Sequence, residues 1–331
     1  MKSFAIARPG SHAAAAKLAA DKTYTLPVIK SGGIDIIDQM KEGLLEPDLL
    51  VHLGSIGEGA ATISMEGGRL RIGAGVTLAQ IASSPIVIEH CPVLAQTAAS
   101  AATPAVRNMA TIAGNLLQRP RCWYFRQHQF DCLKKGGGTC YAVEGENKYH
   151  AIFGGGPCHI VHPSNLAPAL VVAGGVAHLV GGKRTSIPIA DLFHTPDKGV
   201  RTEHVLEPGE VLTHLTCDAA PASGFCGIKE KQSFDWPLAF ACVGLRVTDG
   251  TIQSAGVCAG AVAPVPWSLP RVAEALAGVK VGDDAAIRAA AVLSGQDARP
   301  MRDNGYKVRL LGVAVHRAAL KALGREAEGL S

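Results

Sequence analysis

Leu26-Pro-Val-Ile-Lys-Ser-Gly-Gly-Ile-Asp-Ile-Ile-Asp-Gln-Met-Lys41 is the stretch on which the fold turns. Leu26 to Ile29 is a short apolar strand. Ser31-Gly-Gly33 is a turn, and Ile34, Ile37 and Lys41 then fall at helical spacing until Gly43 ends the run. Glycines let the backbone approach a ligand closely, and a helix N-terminus carries partial positive charge. The loop therefore suits a phosphate, although it matches neither G-x-G-x-x-G nor the P-loop pattern. An ordinary strand-to-helix turn is an equally good reading of it. Upstream, Ser11 is placed to cap an alanine-rich helix to about Ala20. Downstream, Leu49 to Leu53 is a second strand. A strand, glycine loop, helix and strand thus fill residues 1–55.

A second segment, 56–220, is rich in Gly and Ala. Leu70 to Gly73 reads as a strand, Thr77 as the cap of a helix through Ala82, and Pro92 to Ala102 as a helix of small residues. A second loop, Asn108-Met-Ala-Thr-Ile-Ala-Gly-Asn115, offers Thr111 and Asn115 side chains and the bare backbone of Gly114. Two such loops raise the case for a phosphate-bearing cofactor. Ala169 to Ala173 and Val176 to Val180 flank Gly174-Gly175, which reads as a hairpin. A third segment, 221–331, contains the runs Ala239 to Val247 and Ile252 to Gly260, joined by Thr248-Asp-Gly-Thr251 as a hairpin. A helix follows over Arg271 to Ala277. Another, Asn304 to Leu323, has Val308, Leu311, Val315 and Leu323 on one face and Arg/Lys opposite.

The chain has 331 residues, 47% apolar and 18% charged, with a formal net charge of +4. That supports two or three domains with ample core. No Lys/Arg block points to nucleic acid. No apolar stretch approaches the ~20 residues of a membrane span, and the N-terminal residues show no export signal.

Nine cysteines is an odd number, which disfavours a disulfide scaffold. Cys91, Cys217, Cys226, Cys242 and Cys258 lie singly among apolar or small residues and read as small buried hydrophobes. Cys122, Cys132, Cys140 and Cys158 are different. They occupy one loop, 119–158, separated by 9, 7 and 17 residues. No pair shows the C-x₂₋₄-C spacing usual for structural zinc. Iron–sulfur clusters tolerate long, irregular spacings. Arg119, Arg121, Arg126, Lys134 and Lys135 surround these cysteines and would favour thiolate and an anionic cluster. A cluster is the best reading of the residues, with zinc and four unligated thiols as the alternatives. Trp123, Tyr124 and Phe125 would shield it, and His128 and His159 flank it.

Ser31-Gly-Gly-Ile-Asp-Ile36, Leu70-Arg-Ile-Gly-Ala-Gly-Val-Thr77, Val106-Arg-Asn-Met-Ala-Thr-Ile-Ala-Gly-Asn-Leu116, His162-Pro-Ser-Asn-Leu-Ala-Pro168 and Leu206-Glu-Pro-Gly-Glu-Val-Leu212 resemble the FAD-binding subunits of the xanthine dehydrogenase/molybdenum hydroxylase family. The cysteine loop is similar to that of the periplasmic aromatic aldehyde oxidoreductases within it, whose flavin subunit carries a [4Fe–4S] cluster. The resemblance implies an α+β chain: two α/β FAD-binding subdomains of the PCMH type, 1–55 and 56–220, and a C-terminal α+β domain, 221–331, with an antiparallel sheet.

It also implies FAD and a [4Fe–4S] cluster in this chain. A large molybdenum-cofactor subunit and a small subunit with two [2Fe–2S] clusters would complete a heterotrimer. Electrons would pass from the [2Fe–2S] centres through FAD to an external acceptor, and no residue here would be catalytic. Ile29, Lys30, Ser31, Gly32, Gly33, Ile34, Asp35 and Ile36 would cradle the pyrophosphate. Thr111, Gly114 and Asn115 would form the second FAD loop. Asn165 would meet the ribityl side, Val211 and Leu212 the isoalloxazine, and Lys229 or Lys231 the flavin edge. Cys122, Cys132, Cys140 and Cys158 would hold the cluster. Ile34, Ala113 and Asn165 depart from the family's usual Thr, Gly and Asp. The alternatives are a flavin subunit of a 4-hydroxybenzoyl-CoA reductase-like or N-heterocycle enzyme, a self-contained flavin oxidase, and a zinc-stabilised interaction subunit. The compartment would be the cytoplasm, or the periplasm by co-export with a signal-bearing partner.

Overall fold

The computed structural model describes residues 2–231 and 234–325. Its first unit alternates strand and helix: β1 (Ala5–Ala7), α1 (His12–Ala19), β2 (Pro27–Lys30), α2 (Ile34–Lys41) and β3 (Leu49–His52). The strands form a parallel sheet in the order β1-β3-β2. Ser11 caps α1, its hydroxyl accepting from Ala14 N at 3.1 Å. β1 is too short and too exposed to announce itself by periodicity. Ala15 and Ala16 pack on Leu49 and Val51, and Val211 of the next unit completes this small core. On α2 the buried apolar residue is Met40, whereas Ile34 and Ile37 stay 39% and 37% exposed beside the flavin-type loop.

The second unit opens with β4 (Ile63–Glu66) and β5 (Arg69–Gly73). A series of short helices follows: α3 (Leu78–Ser83), α4 (Pro85–His90), α5 (Pro92–Ser100), α6 (Pro104–Met109), α7 (Ile112–Leu116), α8 (Trp123–Arg126) and α9 (Leu166–Val172). It ends with β6 (Val176–Val180), β7 (Ser186–Pro188), α10 (Ile189–Leu192) and β8 (Val211–Asp218). The sheet is antiparallel in the order β4-β5-β8-β6-β7. Thr77, Ser84, Thr103 and Thr111 each accept from a backbone N–H three residues on, which starts four of these helices. Leu70, Ile72, Leu94, Ile112, Leu166, Leu170 and Leu215 form the core.

The hairpin expected across Gly174-Gly175 is not there. Ala169 to Ala173 belong to α9 and its end. Gly174 (φ 59°) is the left-handed residue that stops the helix, and Gly175 N donates back to Leu170 O at 2.7 Å. A short run buried on every side carries no period that separates helix from strand.

The third unit is a sheet ordered β12-β11-β10-β9, from β9 (Ser223–Ile228), β10 (Ala239–Thr248), β11 (Thr251–Gly260) and β12 (Trp267–Ser268). Asp249 (φ 49°) and Gly250 (φ 69°) make the tight turn expected between β10 and β11. α11 (Pro270–Leu276), α12 (Asp284–Val292) and α13 (Tyr306–Ala322) complete it. Leu311, Val315 and Ala318 of α13 pack into the same core as Val243, Val257 and Ile287. Lys307, expected on the solvent face, is instead 1% exposed.

The N-terminal end of α13 grips the cysteine loop. Asp303 N donates to Asn147 Oδ1 at 2.8 Å, and Asn304 Nδ2 donates to the carbonyls of His150 and Ala151, both at 3.2 Å. Ile152 N adds a 2.8 Å bond to Val262 O. The loop is therefore held between the second and third units.

Candidate functional site

Two cavities lie next to each other along the chain: Arg121 lines one and Cys122 the other. The larger is a cleft of about 920 Å³. Ile29, Ser31, Gly32, Gly33, Ile34, Asp35 and Ile36 line one side, and Thr111, Gly114 and Asn115 another. Asn165, Val211 and Leu212 close the rest. The two glycine loops meet directly: Ser31 Oγ lies 2.8 Å from Thr111 Oγ1. A Cβ on Gly32 would stand 1.9 Å from Met109 O, so no side chain fits where the loops cross. Gly33 is left-handed (φ 85°) and caps α2. That geometry turns the first amides of α2 toward the cleft, where they have no intrahelical partner. Thr111 Oγ1 also accepts from Gly114 N at 3.2 Å, which shapes the second loop.

Not every expected residue faces this cleft. Lys30 does not line it, and its amine folds back onto Ser31 O at 3.1 Å. Lys229 donates to the carbonyl of Ser100, a cleft-lining residue, at 3.0 Å. Lys231 is exposed. Asp35 is within the cleft wall, yet its carboxylate is turned to the cysteine loop. It accepts from Arg126 Nη2 at 2.6 Å and Arg119 N at 2.8 Å, and pairs with Arg121 at 3.0 Å. His204 and Trp236 line the cleft too; nothing in a lone His or Trp of an irregular segment distinguishes them in sequence. Arg121 stacks over Trp236 at 5.6 Å. Beneath the cleft, Ser164 Oγ donates to Asn115 Oδ1 at 2.6 Å and accepts from Ala167 N, so Ser164 starts α9. His162 is buried, accepts from Ser164 N at 3.3 Å, and is held down to about 3 by burial and by His204.

The second cavity is small. Cys122, Cys132, Cys140 and Cys158 all line it, although 35 residues of sequence separate the outer pair. Tyr124, Phe125, Leu133 and Ile160 give it apolar sides, and Trp123 packs edge-on against Tyr149 and His150. Neither His128 nor His159 lines it; His150 does, with Nε2 at 3.2 Å from Cys122 Sγ. His150 sits beyond the basic run that drew attention to the loop. Among the described residues no group of three or more His, Cys, Asp or Glu gathers closely enough to hold a single metal ion. The thiols are instead arrayed around the pocket.

The charges also differ from expectation. The loop's arginines face away from the thiols, toward Asp35 and Asp38 of α2 and toward Glu203. Lys134 alone among the basic residues of the loop lines the pocket, and it is neutralised by Glu203 at 2.6 Å. Burial consequently pushes Cys122 up to about 11, the opposite of a basic-loop thiolate. Cys140 falls to about 5 because Cys158 hydrogen-bonds to it, and Cys158 rises for the same reason.

Comparison with known proteins shows the family. Residues 2–217 match the model of the FAD binding domain in molybdopterin dehydrogenase. Residues 227–322 match the CO dehydrogenase flavoprotein C-terminal domain. The chain therefore belongs to the FAD-binding family of molybdopterin dehydrogenases, which are oxidoreductases. It is 34% identical over 273 residues to the aldehyde oxidoreductase FAD-binding subunit PaoB of Escherichia coli, covering 81% of this chain and 84% of that one. It is 26% identical to the carbon monoxide dehydrogenase medium chain of Afipia carboxidovorans, over 89% and 88% of the two chains. In fold it is similar to CO dehydrogenase from Oligotropha carboxidovorans (TM-score 0.76, 24% identity, 98% and 99% coverage). It is also similar to quinoline 2-oxidoreductase from Pseudomonas putida (TM-score 0.74, 23% identity, 98% and 99% coverage). Among the described residues no helix is long and apolar enough to cross a membrane.

Proposed function

We propose that this chain is the FAD- and [4Fe–4S]-carrying electron-transfer subunit of a heteromeric molybdenum hydroxylase that oxidises aldehydes to carboxylic acids. Its partners are a large molybdenum-cofactor subunit and a small subunit with two [2Fe–2S] clusters, and it delivers electrons to an external acceptor. The observation that carries this reading is the convergence of Cys122, Cys132, Cys140 and Cys158 on one apolar-sided pocket close to the glycine-loop cleft. The identity to an aldehyde oxidoreductase flavin subunit supports the substrate class. Donors arrayed around a pocket suit a polynuclear group better than one zinc ion.

Bound FAD supplies two-electron chemistry that can also run in single-electron steps, and a cluster supplies single-electron transfer. The chain's own residues bind and orient. The amides at Gly32 to Ile34 and the Thr111 loop take the phosphates. Val211 and Leu212 offer an apolar face, and Asn165 a neutral hydrogen-bonding group. Tyr124, Phe125 and Leu133 exclude water from the thiols.

The test is the absorption spectrum and metal content of anaerobically purified protein. Flavin bands with about four irons per chain are expected. Cys132→Ser should lose the iron and keep FAD. Zinc without flavin would sink the proposal, and flavin without iron would remove the cluster from it.

A further inference from the structure

Two buried lysines touch the cysteine loop, Lys134 within it and Lys307 from α13, and they are not equivalent. Lys134 is 3% exposed and answered by Glu203 at 2.6 Å. Lys307 is 1% exposed, and its Nζ donates only to carbonyls, Tyr149 O at 2.9 Å and Ala261 O at 2.8 Å. Among the described residues no carboxylate is paired with it. A buried ammonium without a counter-charge is among the costliest arrangements a fold can hold. Burial accordingly pulls Lys307 down to about 7.

The position of Lys307 says where the missing negative charge belongs. Tyr149, whose carbonyl it holds, precedes His150, and His150 reaches Cys122 Sγ at 3.2 Å. Asn304, three residues earlier, fixes the same strip of backbone through the His150 and Ala151 carbonyls. The end of α13 therefore places a buried amine with no carboxylate partner behind Tyr149 and His150, the second of which lines the thiol pocket.

We infer that Lys307 is the counter-charge to an anionic group bound by the four cysteines, and that it raises the reduction potential of that group. This rests on reading the pocket as a [4Fe–4S] site. A cluster with four thiolates is negative in both oxidation states and gains one more negative charge on reduction. A fixed positive charge therefore favours the reduced form. Lys307 touches neither substrate nor flavin, so it acts as a positioning residue for charge.

The experiment is an EPR-monitored redox titration of the complete heteromeric enzyme carrying Lys307→Met or Lys307→Gln, with iron and flavin content measured on the same samples. The cluster potential should move to more negative values in both variants while the flavin potential stays where it was. The cluster-free chain should melt at a higher temperature with Met than with Lys, because the buried charge is gone. Gln keeps N–H donors for the two carbonyls, so it carries the test if Met does not fold. An unmoved cluster potential in a variant that retains its iron overturns the inference and leaves the cluster reading standing. A melting temperature of the cluster-free Met variant no higher than that of wild type also counts against it. Wild-type enzyme without iron in this chain would overturn both.

Discussion

Ser31 Oγ and Thr111 Oγ1 lie 2.8 Å apart, joining two loops that are 80 residues apart in sequence. Thr111 also caps α7 through Gly114 N. One hydroxyl thus sets both the spacing of the loops and the shape of the second. Thr111→Val removes both bonds at nearly constant volume. At about 1 kcal/mol for the capping and hydroxyl bonds together, FAD affinity should fall by about five- to tenfold. Fluorescence titration of flavin into the cofactor-free chain measures this. An unchanged dissociation constant would show that the loops are held by other means.

Gly32 makes a harsher test of the same crossing. A methyl group there would stand 1.9 Å from Met109 O, and backbone on both sides would have to move. Gly32→Ala should purify without flavin while keeping its circular dichroism spectrum. Stoichiometric flavin in the variant would mean that the loops separate easily.

Asp35 should matter to both cavities. Its carboxylate, 12% exposed, serves Arg126, Arg121 and the amide of Arg119. Asp35→Asn leaves guanidinium groups underpaired, which costs about 3 kcal/mol when a largely buried pair is broken from one side. Urea unfolding should show that loss, and iron should be lost together with flavin. Loss of flavin alone would show that Asp35 does not hold the cysteine loop in place.

Acid should destabilise the chain through His162. Its imidazole is held neutral down to about pH 3, against an ordinary value of 6.5. Between those values the unfolded chain binds the proton and the folded chain does not. Stability therefore falls as pH drops from about 6.5 toward 3, by up to a few kcal/mol in all. Urea midpoints at pH 7.5 and 5 should differ in the wild type. The difference should shrink in His162→Asn, and a wild type indifferent to pH over this range would refute the assignment.

Asn304 is fully buried and binds two carbonyls of the cysteine loop and the amide of Met301. Asn304→Ala should cost about 2 kcal/mol, read as a lower melting temperature, and it should loosen the loop enough to speed iron release to a chelator.

Much of this was legible in the sequence. Ser31-Gly-Gly33 and the loop of Thr111, Gly114 and Asn115 pointed to the cleft because glycines and short polar side chains shape a turn within a few residues, whereas Val211 and Leu212 came only from the family resemblance. The four cysteines announced a pocket by residue type alone. What stayed hidden depends on direction in space. Nothing local says that Asp35 turns its carboxylate to Arg121 and Arg126 and away from the phosphate loop. The basic run around Cys122 promised thiolates, yet its arginines face carboxylates on another helix. His150 lies outside any motif although it reaches Cys122, and only the docking of α13 brings Lys307 to the carbonyl of Tyr149 beside it. Ala169 to Ala173 failed for a simpler reason: a helix buried all round has no amphipathic stripe to read.

Those buried ion pairs bear on any attempt to graft the cysteine loop onto a relative that lacks one. The insert would arrive with the guanidinium groups of Arg119, Arg121 and Arg126 and the ammonium of Lys134, whose partners Asp35, Asp38 and Glu203 all lie outside it. A host without those acids would receive an unneutralised cationic knot against its own flavin loop. The transplantable module is discontinuous: the loop, two acids from the first helix after the glycine turn, and one from the segment beside the cleft.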